Sequence, residues 1–111
     1  MQLPLETDVN DVKRRLDAGE PIVLIDVREP FEYQIAKIAN SELIPMNTIL
    51  AELQRIERDS DRGVLIVFCH HGMRSLSVVN WLRQQGVTGC QSMSGGIDSW
   101  SLSVDPLVAR Y

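Results

Sequence analysis

Cys69, His70, His71, Gly72, Met73, Arg74 and Ser75 form the stretch CHHGMRS, set between the apolar run VLIVF and a segment from Leu76 onward whose apolar residues recur at helical spacing. A thiol between a buried strand and the start of a helix stands where backbone N–H groups lack intrahelical partners. The helix dipole also presents its positive end there. Such a loop is a cradle for negative charge. The thiolate, not the thiol, is the nucleophilic form of cysteine. Gly72 permits the positive φ or close backbone approach by which a loop curls its amides inward. A helix terminus contributes up to ~2 kcal/mol and each hydrogen bond to a charged group ~1.5–3 kcal/mol toward holding a charge. The loop is therefore able to activate Cys69 without a dedicated base.

Other readings of the same residues are weaker. A cysteine closing a core strand is often only a small buried hydrophobe, but the HHGMRS that follows Cys69 favours chemistry. His70 and His71 are neighbours pointing in different directions, so with Cys69 they make an awkward metal site even if Cys90 is added as a fourth ligand. No metal and no cofactor is expected. Arg74 in the first turn opposes the helix dipole, a mild cost consistent with an anion nearby. Four residues separate Cys69 from Arg74, whereas a cysteine phosphatase cradle has five to encircle a tetrahedral phosphate. The smaller ring suits a single sulfur atom riding on Cys69 and disfavours a phosphatase or arsenate reductase.

The elements that must position this loop alternate along the chain. Thr7 or Asp8 can cap a first helix through Val9, Val12 and Leu16, ended at Gly19 and Pro21. A strand over Ile22–Ile25 does not alternate in polarity, so it is expected to be buried on both faces. A short helix opens at Pro30 near Phe31, Tyr33 and Ile35, and SELIPM gives a short strand stopped at Pro45. An amphipathic helix through Ile49, Leu50, Leu53 and Ile56 leads to the strand Val64–Phe68 and a helix from about Arg74 to Gln85. A last short strand lies around Cys90, and a half-buried helix carries Trp100. Strands joined through helices pair in parallel. The expected fold is α/β, a three-layer sandwich with a small central parallel β-sheet flanked by helices, and ligands in such sheets bind beyond the carboxyl ends of the strands.

The 111 residues make one domain, 1–111, with no apolar stretch near the ~20 residues of a membrane span. A net charge of −4 argues against nucleic acid as the main partner. The amino-terminal residues do not read as a secretory signal, and two cysteines are too few for a disulfide scaffold. The expected location is the cytoplasm.

At this point the residues resemble a known family, the single-domain rhodaneses, which are sulfurtransferases. LIDVREPFEY is similar to the family's strand-ending segment, with Asp26, Arg28 and Glu29 in place; CHHGMRS fits its active loop; SGGIDSW fits its Gly-Gly-Ile turn before the last helix. The resemblance implies a double displacement. Cys69 attacks the outer sulfur of a small anionic donor such as thiosulfate, holds it as a persulfide, and passes it to a thiophilic acceptor. The amides of residues 70–74 are then expected to stabilise the persulfide, with Arg74 attracting the donor's anionic end. Asp26 and Arg28 are expected to brace the loop rather than react, a surface ion pair being the alternative. Gly95 and Gly96 read as turn geometry.

The chain departs from the family where Ala36-Lys37 and Asn40-Ser41 replace Gly-His and Gly-Ala, which bears on substrate preference. The tail VDPLVARY is similar to the end of rhodanese domains found with enzymes that activate small sulfur-carrier proteins, which adds a protein donor or acceptor to the expected partners. Cys90 is expected to be inert rather than to form a resolving disulfide with Cys69. The competing hypothesis of a different class is a rhodanese-fold binding or sensing module without turnover.

Overall fold

The two uninterrupted apolar runs form adjacent parallel strands at the centre of one sheet in the computed structural model, which describes residues 2–111. Five strands, β1 (Glu6–Thr7), β2 (Ile22–Asp26), β3 (Glu42–Leu43), β4 (Val64–Phe68) and β5 (Cys90–Met93), lie in the order β1-β5-β4-β2-β3. All pairings are parallel. The helices are α1 (Val9–Asp17), α2 (Pro30–Ile35), α3 (Leu53–Asp59), α4 (Met73–Gln84) and α5 (Gly96–Ser103). None is long and apolar enough to cross a membrane.

The sheet has a core on each face, which is why its central strands carry no polar alternation. Val23, Ile25, Leu65, Val67 and Cys69 point to one side, where Ile56 of α3 and Val78, Val79 and Leu82 of α4 cover them. Leu24, Ile66, Phe68 and Met93 point to the other, against Val9 and Val12 of α1 and Ile97 and Trp100 of α5. The three-layer parallel α/β fold expected from the sequence is the fold observed.

Three local expectations need correction. The residues before α1 form an edge strand, β1, held to β5 in the register Glu6↔Ser92 and Thr7↔Met93. Asp8 is then the cap, its carboxylate accepting the Asp11 N–H at 2.8 Å. The amphipathic helix after β3 is broken: Met46–Thr48 is a 3-10 turn, and α3 begins only at Leu53. Ile49 reaches the core beside Ile44, whereas Leu50 is 74% exposed. The chain leaving β3 has to step down to the sheet face at once, and the tighter turn delivers Ile49 there without a continuous α-helix. Finally, β2 extends through Asp26 and α4 starts at Met73.

From β2 the chain moves outward to β3, and from β4 it moves the other way to β5. The carboxyl ends of these two adjacent strands therefore flank the point where the winding reverses, the usual ligand position in open α/β sheets. Asp26 ends β2 and pairs in register with Phe68, which ends β4. Lys37 lies elsewhere. It lines a cavity of about 500 Å³ with Leu16, Ile22, Leu24, Asn40 and Trp100, toward the amino-terminal half of β2, and its ammonium sits over the Tyr33 ring at 5.1 Å.

Candidate active site

Cys69 follows β4 directly and is 1% exposed, as the two-sided burial of that strand dictates. Gly72 caps α4 with φ of 107°, a backbone state that disfavours a side chain, and this turn brings the chain back over the sulfur. The N–H of Gly72 lies 3.1 Å and that of Ser75 3.3 Å from Sγ of Cys69. The thiol donates to the Ser75 hydroxyl at 3.4 Å, and that hydroxyl is tied to Ser92 on β5 at 2.8 Å. Among the described residues no backbone acceptor takes the N–H groups of His70, His71, Met73 or Arg74. They remain available to a group carried on the sulfur. The two amides on Sγ are those of Gly72 and Ser75, so Ser75 joins the expected run of residues 70–74 around the sulfur. The Met73 side chain points outward, 77% exposed.

The far side of the loop rests on the start of α5. Ile97 N–H donates to the Cys69 carbonyl at 2.9 Å and Asp98 N–H to that of His70 at 3.1 Å. Gly96, φ 60°, makes that approach feasible, since a Cβ there would lie 2.4 Å from the carbonyl oxygens of both Cys69 and His70. Gly96→Ala should therefore displace the loop. On the persulfide chemistry that the resemblance implies, we expect Cys69 to be loaded with sulfur about tenfold more slowly, with stability lowered by ~1–2 kcal/mol for the left-handed alanine. A stopped-flow loading rate and a denaturant titration check both.

Arg74 does not present an open guanidinium. Its Nη1 and Nη2 donate to Oε1 and Oε2 of Glu32 at 2.7 and 2.9 Å. Glu32 sits at the third position of α2 because Glu29 and Glu32 form a capping box ahead of and behind Pro30. The Arg74 guanidinium, with the Tyr111 hydroxyl that donates to Oε2 at 2.6 Å, outweighs burial and holds the Glu32 carboxyl down at about 2.

Asp26 and Arg28 are not a surface pair, both side chains being fully buried. Arg28 donates from Nε to Oδ1 at 2.9 Å and from Nη2 to Oδ2 at 2.7 Å of Asp26. Its remaining donors go to the carbonyls of Ala36 and Glu32 and to the hydroxyl of Tyr111. The pair reaches the loop through Glu32 and Tyr111. His70 lies between the rings of Tyr111 and His71, both centroids at 3.9 Å, with the Tyr111 contact nearly parallel at 5°. Burial, then the neighbouring His71, pushes the His70 imidazole below its ordinary value. His71 is the outer ring of the stack, its Nδ1 4.0 Å from Asp98.

Sequence reasoning assigned no role to Glu32, Ser92 or Tyr111. The Glu29-x-x-Glu32 spacing after a strand end is a capping signal that could have marked Glu32. Nothing local marks Ser92 or Tyr111.

Cys90 is buried at the start of β5, its thiol on the Val87 carbonyl at 3.3 Å, and burial pushes that thiol up. Cys90 pairs with Leu65, four residues before Cys69, so the two cysteines are separated by roughly 13 Å of strand. A disulfide tolerates Cα atoms no more than ~7 Å apart. Cys90→Ala should therefore keep full sulfur loading of Cys69 while losing on the order of 1 kcal/mol of stability; loss of loading in the folded variant would give Cys90 a chemical part.

Residues 8–103 match the family described as the rhodanese-like domain. The thiosulfate sulfurtransferase GlpE of Pseudoalteromonas translucida is 34% identical over 91 residues, covering 82% of this chain and 84% of that protein. The adenylyltransferase and sulfurtransferase MOCS3-1 of Zea mays is 35% identical over 100 residues, 86% of this chain. The chain spans only 21% of that larger protein. The crystal structure of a rhodanese-related protein from Thermoplasma volcanium superposes with a TM-score of 0.80 at 31% identity, covering 97% of this chain and all of the other.

Proposed function

This chain belongs to the rhodanese-like sulfurtransferase family, and on that premise we propose that it moves sulfane sulfur through a persulfide on Cys69. The observation that carries the reading is the seat of Sγ, which accepts two N–H groups at the start of α4 with further unclaimed amides around it.

In the first half-reaction the Cys69 thiolate attacks the outer sulfur of thiosulfate. The S–S bond breaks, sulfite leaves with the electron pair, and Cys69 carries one extra sulfur. In the second, a nucleophilic acceptor attacks that outer sulfur and Cys69 leaves as the thiolate. The amides of Gly72 and Ser75 stabilise the charge on sulfur at both ends of the cycle. The Ser75 hydroxyl, anchored on Ser92, accepts from the resting thiol and is placed to donate to the thiolate. A low-molecular-weight or protein persulfide serves the first step equally well, its thiolate leaving in place of sulfite. The relative named as a thiosulfate sulfurtransferase supports thiosulfate as the donor to try first. A thiol, free or on a protein, suits the acceptor step, in the cytoplasm.

Intact mass after incubation with thiosulfate, followed by cyanide, tests the reading. A gain of one sulfur that cyanide removes supports it. No gain from thiosulfate or from a small-molecule persulfide, in folded and reduced protein, overturns it in favour of a binding module.

A further inference from the structure

Two walls define the sulfur cradle, His70 and His71 where the loop leaves β4 and Arg74 where it enters α4, and one side chain far away in sequence touches the support of both. The Tyr111 ring lies flat on His70 at 3.9 Å. Its hydroxyl donates to Oε2 of Glu32 at 2.6 Å and accepts from Nη1 of Arg28 at 2.9 Å, while the same Glu32 carboxylate holds Arg74 by both nitrogens. Arg28 also sits over the ring, 5.7 Å from its centroid.

The segment after α5 that delivers Tyr111 has no helix or strand of its own. It is fastened by Ser101 Oγ donating to the Val108 carbonyl at 2.6 Å and by Arg110 pairing with Asp98 at 2.9 Å. Asp98 is the residue whose N–H holds the His70 carbonyl, so the Arg110 contact bears on the loop. Nε2 of His70 is buried without a hydrogen-bond partner. Its ring is therefore held on that side by stacking rather than by a directed bond, and whatever supplies the stack sets where the ring lies.

We propose that Tyr111 is a positioning residue for sulfur transfer, holding the two walls of the Cys69 cradle in register by its ring on His70 and its hydroxyl on Glu32. The proposal rests on the sulfurtransferase reading above. The direction of the hydroxyl bond agrees with the chemistry: burial and then Glu32 push the Tyr111 phenol up to about 12, so it remains a donor to a carboxylate that stays ionised. Phenylalanine keeps the stack and drops the hydroxyl, while leucine removes both. Since Tyr111 is 38% exposed and outside both hydrophobic cores, neither change leaves a cavity in them.

The test compares wild type, Tyr111→Phe and Tyr111→Leu in steady-state transfer from thiosulfate to cyanide, alongside an NMR titration of the His70 ring. Tyr111→Leu should lower kcat about tenfold with KM changed less than about threefold, because misplaced cradle groups act on the transition state more than on binding. Tyr111→Phe should recover much of the loss. In Tyr111→Leu the His70 titration should move up toward the ordinary ~6.5 as burial is relieved, and in Tyr111→Phe it should stay low. Wild-type kcat in Tyr111→Leu, even with a lowered melting temperature, overturns the proposal and leaves the function reading intact. If the wild type takes up no sulfur from any donor, the function reading fails and this proposal fails with it; an unmoved His70 titration would separately show that Tyr111 does not place that wall.

Discussion

Cys69→Ser should take up no sulfur from thiosulfate or from a small persulfide, and should transfer none to cyanide, while melting within a few degrees of the wild type. The hydroxyl is smaller than the thiol, and Gly72 N–H, Ser75 N–H and Ser75 Oγ already surround the position it would occupy. It is therefore buried with partners rather than stranded, and the stability cost stays near ~1 kcal/mol. Chemistry is lost outright, since no S–S bond forms and an alkoxide is out of reach at neutral pH without a dedicated base. Intact mass for loading and thiocyanate formation for turnover read the outcome. Turnover surviving in Cys69→Ser would place the nucleophile elsewhere and remove the central assignment. The contrast with Cys90→Ala matters, because both cysteines are free and buried and only one has amides directed at its sulfur.

Arg28→Met should have the largest effect on stability, a loss of about 3–5 kcal/mol. Asp26 would be left fully buried with its charge unpaired, and the carbonyls of Glu32 and Ala36 and the Tyr111 hydroxyl would each lose a donor. Typical domains have only ~5–15 kcal/mol in total, so the variant should lose a large fraction of its stability. Breaking a buried pair is far worse than replacing it. Asp26→Leu combined with Arg28→Met should accordingly regain a good part of the loss, although Tyr111 and Glu32 would still lack their partner. Urea titrations of the single and double variants decide. A loss under ~1 kcal/mol in Arg28→Met would mean that the pair contributes no more than an exposed one. The rate of sulfur loading in the double variant separates the two roles of the pair, since stability would be regained while the support of Glu32 and Tyr111 is not.

What could be read from the chain alone was whatever local interactions decide. The strand that ends at Phe68, the turn at Gly72 and the amides at the start of α4 lie within a dozen residues, so the amide seat of Cys69 follows from apolar run, glycine and helix start, while its support from Gly96 and Ser92 does not. The same holds for the parallel sheet, because strands with no polar alternation have to be covered on both faces, and helical connections supply the cover. The resemblance carried by the quoted motifs, not any local rule, implied that Asp26 and Arg28 brace the loop, and Gly95–Gly96 read only as a turn.

Tertiary structure alone decided how the charges are spent around that loop. Arg74 meets Glu32 across 42 positions of sequence, and Tyr111 meets Glu32 across 79 and Arg28 across 83. No periodicity or capping rule spans such separations. Whether Arg28 pairs with Asp26 at the surface or in the interior depended on what the segment after α5 covers, and whether Arg74 stood open or paired depended on where α2 lands beside α4. Strand β1 is not legible in the sequence for the same reason: one exposed and one half-buried residue become a strand only because the edge of β5 offers them unpaired backbone groups. Hydrophobic pattern and helix ends are set by neighbours along the chain. The partners of buried charges are set by which distant segments the fold packs together.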